Sequence, residues 1–315
     1  MISKRRGYKL KIIRKIVKYI KQPERIVILL GQKKIGKFIS DKVFLKCSYK
    51  IRLGKKLNLK KPQTYNEKLQ WLKLYDRNPL YSTMVDKYDV KKYVSDIIGE
   101  EYIIPTLAVW DRVEDIDFNS LPEQFVLKCT HDSGGLVICK DKSKLNIKKA
   151  IEKLKKSMRR NYFYNSREWP YKPLKPRIIA EQYMEDESGY ELKDYKFFCF
   201  DGEVKALFIA TDRGVEGEET KFDFFDENFN HLPIKNGHDN ATREFVCPNG
   251  FEKMKELASR LSKGIPQLRV DFYNINGKIY FGELTFFHWG GLKPFEPEEW
   301  DYTFGSYIKL PEKRK

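Results

Sequence analysis

Short apolar runs, each bounded by turn-forming residues, recur along the chain and predict β-strands. Side chains within such runs alternate between the two faces of a sheet. The predicted strands span residues 103–106, 125–130, 136–140, 177–183, 195–201 and 204–211, with a final pair at 268–272 and 280–285. Because short turns such as Asp201-Gly202 separate consecutive strands, the sheets are expected to be built from antiparallel hairpins.

Apolar residues at three- and four-residue spacing predict helices between these strands. The clearest helix spans residues 62–74, where Thr64 and Glu67 have the spacing of a capping box. Further helices are predicted at 83–97, ending near Gly99, and at 145–160 and 251–263. Helices laid against antiparallel hairpins are typical of an α+β fold.

The final strand pair carries one acid on each strand, Asp271 and Glu283, in otherwise apolar surroundings. A buried carboxylate pair is costly unless a cation compensates it. Hard oxygen ligands on two neighbouring strands suit Mg²⁺, which is commonly shared with substrate phosphates. Arg269 stands two residues before Asp271 and therefore shares its face. The hairpin is thus predicted to hold a metal and nucleotide-phosphate site.

The connection between these two strands decides whether the two acids share a face. A two-residue Asn276-Gly277 turn would set Asp271 opposite Gly282 and turn Glu283 to the other side. A three-residue loop ending at Lys278 would set Asp271 opposite Glu283. We therefore predict the three-residue loop, or an equivalent bulge, with both carboxylates facing one pocket.

The composition indicates a folded chain with an unusual charge distribution. The 315 residues are 41% hydrophobic and 14% aromatic, which is enough for a packed core. Residues 1–61 hold 21 Lys and Arg residues against 2 acids, a net of +19. Since the whole chain carries +17, residues 62–315 carry −2. The basic character therefore belongs to the N-terminal segment.

Within that segment, residues 8–20 predict a basic amphipathic helix. Its apolar stripe consists of Leu10, Ile13, Ile16, Val17 and Ile20. Two interpretations remain open at this point. The helix could attach to an anionic membrane surface or a polyanion, or it could pack on the body of the protein and solvate its other face. No nucleic-acid-binding module is recognisable, so nucleic acid is disfavoured as a partner.

Other class-defining features are absent from the sequence. No apolar run approaches the roughly 18 residues needed to span a bilayer, and no signal peptide is visible. The five cysteines include no C-x-x-C pair, so neither a zinc site nor a disulfide framework is indicated. These observations predict a cytoplasmic protein in a reducing compartment. It would be peripheral on the inner face of the membrane under the first of the two interpretations of its basic segment.

Two glycine-bearing segments are candidates for phosphate binding. Residues 31–37 fit G-x-x-x-x-G-K, but Phe38 follows where a P-loop needs Ser or Thr, so this match is disfavoured. In the second segment, Lys128 ends a predicted strand just before a turn containing Gly134 and Gly135. Backbone N–H groups of such a turn can cradle phosphate oxygens, with the lysine as a point charge.

The order of motifs along residues 61–297 resembles the ATP-grasp superfamily, and in detail its TupA-like branch from bacterial surface-polysaccharide biosynthesis. The motifs are 85–92 with Lys91, 104–106, Lys128 with its turn, 178–184, 194–196, 269–271 and 283–285. The resemblance implies a basic extension at 1–61, followed by the ATP-grasp region. Within that region, 62–120 would be the N-terminal part, 121–184 the small subdomain with turn and hinge, and 185–315 the large subdomain with the metal site.

The resemblance also assigns roles to individual residues. Lys91 and Lys128 would bind ATP phosphates beneath the turn of Gly134 and Gly135. The hinge whose backbone reads adenine would be Glu181, Gln182, Tyr183 and Met184, with Glu187 near the ribose. Asp194, Lys196, Arg213 and Arg269 would line the phosphoryl-transfer side, with His131 and His288 as further candidates. Asp271 and Glu283 would hold Mg²⁺, while Thr285 stands where many members have Asn as a metal ligand.

By the same resemblance, the expected activity is that of a carboxylate–amine ligase using ATP and Mg²⁺. The carboxylate of a sugar or glycan precursor would be activated as an acyl phosphate, and an amine or other nucleophile would attack it. A Lys, Arg and Mg²⁺ inventory suits such positioning and charge neutralisation. Two alternatives stay open: a glycosyltransferase for capsule or lipopolysaccharide, and a non-enzymatic basic adaptor at a membrane surface.

Overall fold

The computed structural model describes residues 19–188, 192–213 and 217–313. Within these ranges, helices pack against two antiparallel sheets, which confirms the predicted α+β class. The helices are Glu24–Gly31, Asp41–Leu53, Tyr65–Tyr75, Leu80–Val85, Asp89–Ile98, Ile147–Met158, Phe163–Ser166, Phe251–Ser262 and Glu299–Tyr307. Residues 8–18 of the predicted amphipathic helix lie outside the described ranges, so that helix stays a prediction.

The strands form a four-stranded sheet of order β1-β4-β2-β3 and a six-stranded sheet of order β10-β9-β5-β6-β7-β8. Their bounds are β1 Thr106–Trp110, β2 Phe125–Cys129, β3 Leu136–Cys139, β4 Ile178–Gln182, β5 Asp194–Phe200, β6 Glu203–Thr211, β7 Lys221–Asp226, β8 His231–Leu232, β9 Leu268–Ile275 and β10 Lys278–Thr285. The predicted strands from 125 to 211 therefore lie close to their predicted positions. Strands β7 and β8, which extend the second sheet, had not been predicted.

The predicted helix at 83–97 is in fact two helices, Leu80–Val85 and Asp89–Ile98. The break falls at Asp86, which has extended backbone angles. Its carboxylate accepts backbone N–H bonds from the second and third residues after it, at 2.9 and 3.0 Å. A short acidic side chain that binds backbone N–H groups in this way favours the start of a new helix. The predicted end at Gly99 is correct.

The predicted strand at 103–106 is displaced, since β1 begins at Thr106 and pairs with β4. The residues before it serve a different purpose. The Lys91 ammonium donates to the carbonyl oxygen of Ile104 at 2.8 Å and to the Thr106 hydroxyl at 2.7 Å. This short segment therefore holds a lysine in position, and its bond to β4 is the one from the Gln182 backbone N–H to the Pro105 carbonyl oxygen, at 3.1 Å.

The capping box at the helix Tyr65–Tyr75 is confirmed. The Thr64 hydroxyl accepts from the backbone N–H of Glu67 at 3.2 Å, and the Glu67 carboxylate accepts from that of Thr64 at 3.4 Å. The buried face of this helix includes Tyr65 and Leu69, which join the large core beneath the six-stranded sheet. A second core lies between the four-stranded sheet and the helix Ile147–Met158.

The segment that resembles a P-loop follows a helix, not a strand. The apolar run at its start forms the helix Glu24–Gly31, and a 3₁₀ turn, Lys34–Phe38, comes next. The buried Arg167 guanidinium donates to the carbonyl oxygens of Gly31 and Gly36, both at 3.0 Å. These backbone groups are engaged within the protein, so the P-loop interpretation is excluded.

The hairpin of β9 and β10 reaches the predicted arrangement by an unexpected route. Its turn is the two-residue Asn276-Gly277, both with positive φ, so the three-residue loop is wrong. The register then shifts at Gly282, where a β-bulge inserts one residue into β10. Beyond the bulge, Glu283 pairs with Asp271, as the alternative of an equivalent bulge had predicted.

None of the helices in the described ranges has both the length and the apolar character that a membrane-spanning helix requires.

Candidate active site

Residues from both sheets line a common cleft, the nucleotide cleft. Strands β2, β3 and β4 supply one wall, and β5, β9 and β10 supply the other. The predicted site residues that line it are Lys91, Lys128, Gly135, Glu181, Asp194, Lys196, Arg213 and Glu283. Residues predicted from motifs far apart in sequence are therefore brought together in one place.

The Glu181 carboxylate lies between the two lysines predicted to bind phosphates. Its oxygens are 2.6 Å from the Lys91 ammonium and 2.5 Å from that of Lys128. Burial opposes ionisation of Glu181, but the two lysines outweigh this effect and hold its pKa below the usual value. Burial also lowers the pKa of Lys91. The side chain of Glu181 therefore organises the cationic pair, while its backbone belongs to the predicted hinge.

The glycine turn after β2 is ordered by Asp132. One Asp132 oxygen accepts from the backbone N–H groups of Gly134 and Gly135, at 3.3 and 3.0 Å. A Cβ on Gly135 would come within 2.5 Å of the Cys129 sulfur, so only glycine fits there. Gly135 lines the nucleotide cleft, and Gly134 is outside its lining. In this conformation the backbone N–H groups of Gly134 and Gly135 are directed at the carboxylate of Asp132.

A more apolar pocket, the hinge pocket, adjoins the nucleotide cleft at the end of β4. It is lined by Val126, Ile138, Lys140, Gln182, Tyr183, Met184 and Leu192, among others. The Tyr183 hydroxyl donates to the Glu185 carboxylate at 2.9 Å. Glu187 is more than half exposed, lies 3.6 Å from the Lys193 ammonium and is outside the lining of the described pockets. All four predicted hinge residues, Glu181 to Met184, thus line a pocket suited to a flat apolar group.

Arg269 is the centre of the polar network on β9. Its guanidinium binds Asp271 through two parallel bonds of 2.7 Å, from Nε and from Nη2. Nη2 also donates to Glu283 and Thr285, each at 3.0 Å. Nη1 lies 2.7 Å from Nδ1 of His288. A bidentate pair of this kind fixes the plane of both groups.

The strand β5 adds a second cation to the network. The Lys196 ammonium binds Asp271 and also lies 2.7 Å from the Asp194 carboxylate. Asp194 is bound in turn by the guanidinium of Arg213. Asp194 and Asp271 are both buried. Together these two carboxylates bind three cations along one side of the cleft: Lys196, Arg213 and Arg269.

Glu283 is the acid of this group that remains open to the cleft. Its side chain is 39% exposed, whereas that of Asp271 is fully buried behind it. Burial opposes its ionisation, but the positive charges of Lys196 and Lys87, followed by those of Arg269 and Arg213, lower its pKa to about 2. Glu283 is therefore a fixed negative charge at neutral pH.

His288 is a neutral bridge between Arg269 and Asn236. Because a guanidinium can only donate, Nδ1 of His288 must accept, and Nε2 therefore carries the proton. Nε2 lies 2.9 Å from the Asn236 side-chain oxygen, which accepts this bond. Burial, together with the charges of Arg269 and Lys196, holds the pKa of His288 well below its usual value. Its neutral form orients Arg269.

A further pocket, the acceptor pocket, opens on the other side of Arg269 and has a volume of about 440 Å³. Lys87, Lys196, Arg213 and Glu283 line both this pocket and the nucleotide cleft, whereas Arg269 and Thr285 line the acceptor pocket alone. Its outer lining consists of Tyr162, Glu168, Tyr171, Phe222, His238, Phe287 and Trp289, among others. The same polar network thus faces both spaces.

The donor set at the border fits a magnesium ion shared with a phosphate. Among the described residues, no three His, Cys, Asp or Glu side chains converge as a complete metal site. Asp271 and Glu283 lie side by side across the strands, and Asp194 has a buried oxygen with no hydrogen bond. Mg²⁺ typically takes one or two carboxylates and completes its shell with water and phosphate, so Glu283, which is open to the cleft, and Asp271 beside it are the residues that would hold the ion.

A family model described as TupA-like ATP-grasp matches residues 67–309. The chain belongs to the TupA-like ATP-grasp family. The predicted fold and family are therefore confirmed, and the match covers every motif from Lys91 to Thr285. No curated protein matches this chain.

Solved ATP-dependent ligases are among the structures that this ATP-grasp chain resembles. A D-alanine–D-alanine ligase from Helicobacter pylori is 14% identical, with 78% of this chain and 69% of that chain covered and a TM-score of 0.43. The ligase from Bacillus anthracis complexed with ATP is 18% identical, with 64% and 55% covered and a TM-score of 0.38. An L-amino acid ligase from Bacillus licheniformis is 13% identical, with 70% and 47% covered and a TM-score of 0.42. The chain thus spans about half the length of two of these ligases.

Three residues of the site had no role in the sequence-based prediction. Lys87 lines both main pockets and donates to the Asp132 carbonyl oxygen at 2.6 Å. Tyr273 lines the nucleotide cleft and the hinge pocket from β9. Glu168 is buried in the wall of the acceptor pocket. Lys87 stands four residues before Lys91, and on the helix predicted at 83–97 this spacing would have placed both lysines on one face. The other two depend on long-range packing.

Proposed function

We propose that this chain is an ATP- and Mg²⁺-dependent ligase that activates a carboxylate as an acyl phosphate. The activated group would form an amide or related bond on a surface polysaccharide or its precursor. Family membership supports the ligase class, and the polysaccharide acceptor rests on the TupA-like resemblance alone. One observation carries the proposal: Glu283 pairs with Asp271 beside Arg269, at the border of a cleft that also holds Lys91 and Lys128.

Adenine would occupy the hinge pocket, between apolar side chains such as Val126 and Ile138 and the chain from Gln182 to Met184. The triphosphate would then extend toward Lys91 and Lys128. Phosphate oxygens would compete with Glu181 for these two ammonium groups, and the glycine turn would close over them. Glu187 would approach the ribose through movement of its exposed side chain.

Lys196, Arg213 and Arg269 would neutralise the charge of the transferred phosphoryl group. When bound at Asp271 and Glu283, Mg²⁺ supplies further neutralisation of the phosphate oxygens. The carboxylate oxygen of the acceptor attacks the γ-phosphorus and ADP leaves, which yields an acyl phosphate. A nucleophile then attacks the acyl carbon and inorganic phosphate leaves. The protein contributes mainly positioning and electrostatic stabilisation, as its inventory of cations indicates.

The test of this proposal is a reaction of the full chain with ATP, Mg²⁺ and a panel of uronic acids, amino sugars and amino acids, followed by mass spectrometry. The expected products are ADP, phosphate and a condensed product that has lost one water relative to its two precursors. Formation of AMP and pyrophosphate would contradict the acyl-phosphate route, and no nucleotide turnover with any pair would contradict the ligase.

A thermal-shift comparison separates the ligase from its two alternatives. ATP with Mg²⁺ is expected to raise the melting temperature because it binds the folded state. UDP-sugars would raise it if the chain were a glycosyltransferase. An adaptor without a nucleotide site would respond to neither.

We also propose that the N-terminal region attaches the enzyme to an anionic membrane surface. Seven of the sixteen large apolar side chains that are exposed in the described ranges lie between residues 20 and 43. They are Ile20, Ile26, Leu29, Leu30, Ile35, Phe38 and Val43, and Phe38 is 78% exposed. Lysines and arginines stand between them, while the acids of this stretch, Glu24 and Asp41, are already paired with Lys50 and Arg167. Apolar side chains among unopposed basic ones favour an anionic lipid interface.

A further inference from the structure

Glu168 is a buried acid in the wall of the acceptor pocket. Only 5% of its surface is exposed, and it follows the short helix Phe163–Ser166. The Ser166 hydroxyl donates to Oε1 at 2.5 Å. In the described part of the chain, this is the single hydrogen bond to the carboxylate, and no cation lies within 4.0 Å of it. A buried carboxylate with so few partners is costly unless a ligand supplies the rest.

The buried lysine Lys73 does not serve as that partner. The Lys73 ammonium is fully buried, and its three N–H groups donate to the Gln70 side-chain oxygen and to the carbonyl oxygens of Ser166 and Gly290, at 3.1, 2.9 and 2.6 Å. A lysine ammonium has three donors, so none remains for Glu168. Lys73 moderates the negative potential of the pocket from a distance without neutralising the carboxylate.

Arg269, which lines the same pocket, is committed as well. The donors of Arg269 that have described partners go to Asp271, Glu283, Thr285 and His288. Arg269 therefore faces Glu168 across the pocket without bonding to it. The space between them is therefore bounded by the Glu168 carboxylate on one side and by the Arg269 guanidinium on the phosphoryl-transfer side.

Aromatic rings make up much of the remaining wall around Glu168. Tyr162, Tyr171, Phe287 and Trp289 line the same pocket. Ring faces attract cations, and the effect grows where water is excluded. A lone buried carboxylate among aromatic rings is a setting that favours a compact organic cation over an anion or a neutral hydroxyl group.

We infer that Glu168 binds the ammonium group of the nucleophile, so that the second substrate is a primary amine. This inference rests on the proposed ligase function and names the nucleophile of that same site. The Glu168 carboxylate would hold the protonated amine beside Arg269, where the acyl phosphate forms. One proton passes from the ammonium group to the Glu168 carboxylate, which frees the nitrogen lone pair for attack. As the C–N bond forms, the C–O bond to phosphate breaks, and the second proton lost from nitrogen leaves with the phosphate. Burial raises the pKa of Glu168, which favours its acceptance of one of those protons.

Two small probes of equal size test the inference directly. Ethanolamine carries an ammonium group where ethylene glycol carries a hydroxyl, so their affinities for the full chain can be compared by ligand-observed NMR. We expect a preference of at least about tenfold for ethanolamine, the size of one charge-assisted hydrogen bond. In Glu168→Gln, which keeps the acceptor for Ser166, the preference should fall below about threefold. Glu152→Gln, an exposed acid of the helix Ile147–Met158, is the matched control.

The inference is overturned if the wild type binds both probes equally, if it binds neither, or if Glu168→Gln keeps the preference. The wild-type comparison needs no variant, so misfolding of Glu168→Gln would not affect the decision. A second readout uses whichever substrates give ADP: Glu168→Gln should raise the KM for the amine and leave the KM for ATP unchanged. Ethanolamine preference without any ADP formation would refute the ligase and not this site, whereas ADP formation without the preference would do the reverse.

Discussion

Glu283 pairs across the hairpin with Asp271, although the two-residue turn starts the strands in a register that would place Gly282 there. The bulge at Gly282 corrects the register by one residue. A Cβ on Gly282 would lie 3.1 Å from the Asp271 carbonyl oxygen, which is tighter than ordinary contact. The position of the second acid therefore depends on a residue without a side chain.

Gly282→Ala is expected to reduce ATP turnover strongly while costing about 1 kcal/mol of unfolding free energy, since the new methyl group crowds the neighbouring strand. The matched variant is Gly277→Ala in the turn, where φ is +82°. It should lose a similar amount of stability because of its left-handed backbone, yet retain turnover. Urea denaturation and an ADP-release assay measure the two effects. Equal turnover in both variants would show that the bulge has no role in the site.

Glu283→Gln should abolish Mg²⁺-dependent ATP turnover while leaving the melting temperature close to that of the wild type. Asp271→Asn should abolish turnover too, and it should also destabilise the fold. The reason is that Asp271 is buried between Arg269 and Lys196, and removing its charge leaves these buried cations with only Glu283 and Asp194 as counter-charges, a loss of about 3 kcal/mol or more. Melting curves and ADP release separate the two effects, and wild-type turnover in both variants would remove the metal site.

Lys128→Ala should weaken ATP binding by about tenfold or more, because it removes a charge-assisted contact to phosphate. Lys140 is the corresponding lysine at the end of β3, but it lines the hinge pocket and is a less clean comparison. Lys144→Ala is the better control, since this lysine is exposed and pairs with Asp141. Isothermal titration with ATP and Mg²⁺ gives both affinities. Losses of equal size would mean that the phosphates bind elsewhere.

His288 should make the protein less stable in mild acid. Its pKa in the folded state lies well below the usual value of 6.5, so the unfolded chain binds the proton first as pH falls. Stability is therefore fully present above pH 6.5 and is lost as pH drops below it, by about 1.4 kcal/mol per pH unit until the folded-state pKa is reached. The difference in unfolding free energy between pH 7.5 and 5.5 should be smaller in His288→Gln. The same difference in both proteins would assign the effect to other groups.

Removal of residues 1–20 should lower sedimentation with anionic vesicles at low salt and spare ATP hydrolysis in solution. Each basic residue near such a surface contributes about 1 kcal/mol, and the contribution falls with ionic strength. Phe38→Ser should weaken the same binding through loss of an apolar contact. The control is Val246→Ser, an exposed apolar position outside the N-terminal region, which should leave vesicle binding unchanged. Unchanged sedimentation together with a lower melting temperature after truncation would indicate that the segment packs on the body.

Local patterns predicted the parts of the fold that depend on local energetics. Strand periodicity located most strands from 125 to 211, and the spacing of Thr64 and Glu67 located a capped helix. The shared face of Asp271 and Glu283 was predicted correctly, but the turn was not, because a bulge leaves no periodic signal. Glycine in a strand is one indication of a bulge, and Gly282 offered it.

Long-range packing determined what the sequence could not show. The carboxylate of Glu181 meets Lys91 and Lys128 only because β4 pairs with β2 and because the helix Asp89–Ile98 lies near both. Likewise, Glu168 becomes a lone buried acid only when the donors of Lys73 and Arg269 are committed elsewhere. A residue's set of partners is a property of the fold, so its chemistry could not be read from its neighbours in sequence.

The convergence of four side chains on one guanidinium has a consequence for how substitutions combine. The Arg269 guanidinium is hydrogen-bonded to Asp271, Glu283, Thr285 and His288. A substitution at any one of these residues therefore removes one of the contacts that fix the same group. Residues that share a partner show interaction energies, and their effects do not add. A double-mutant cycle between Asp271→Asn and His288→Gln is therefore expected to depart from additivity by about 0.5 kcal/mol or more. Evolution of the acceptor pocket through His288 would be constrained by the nucleotide cleft, because Arg269 also binds Glu283, which lines both spaces.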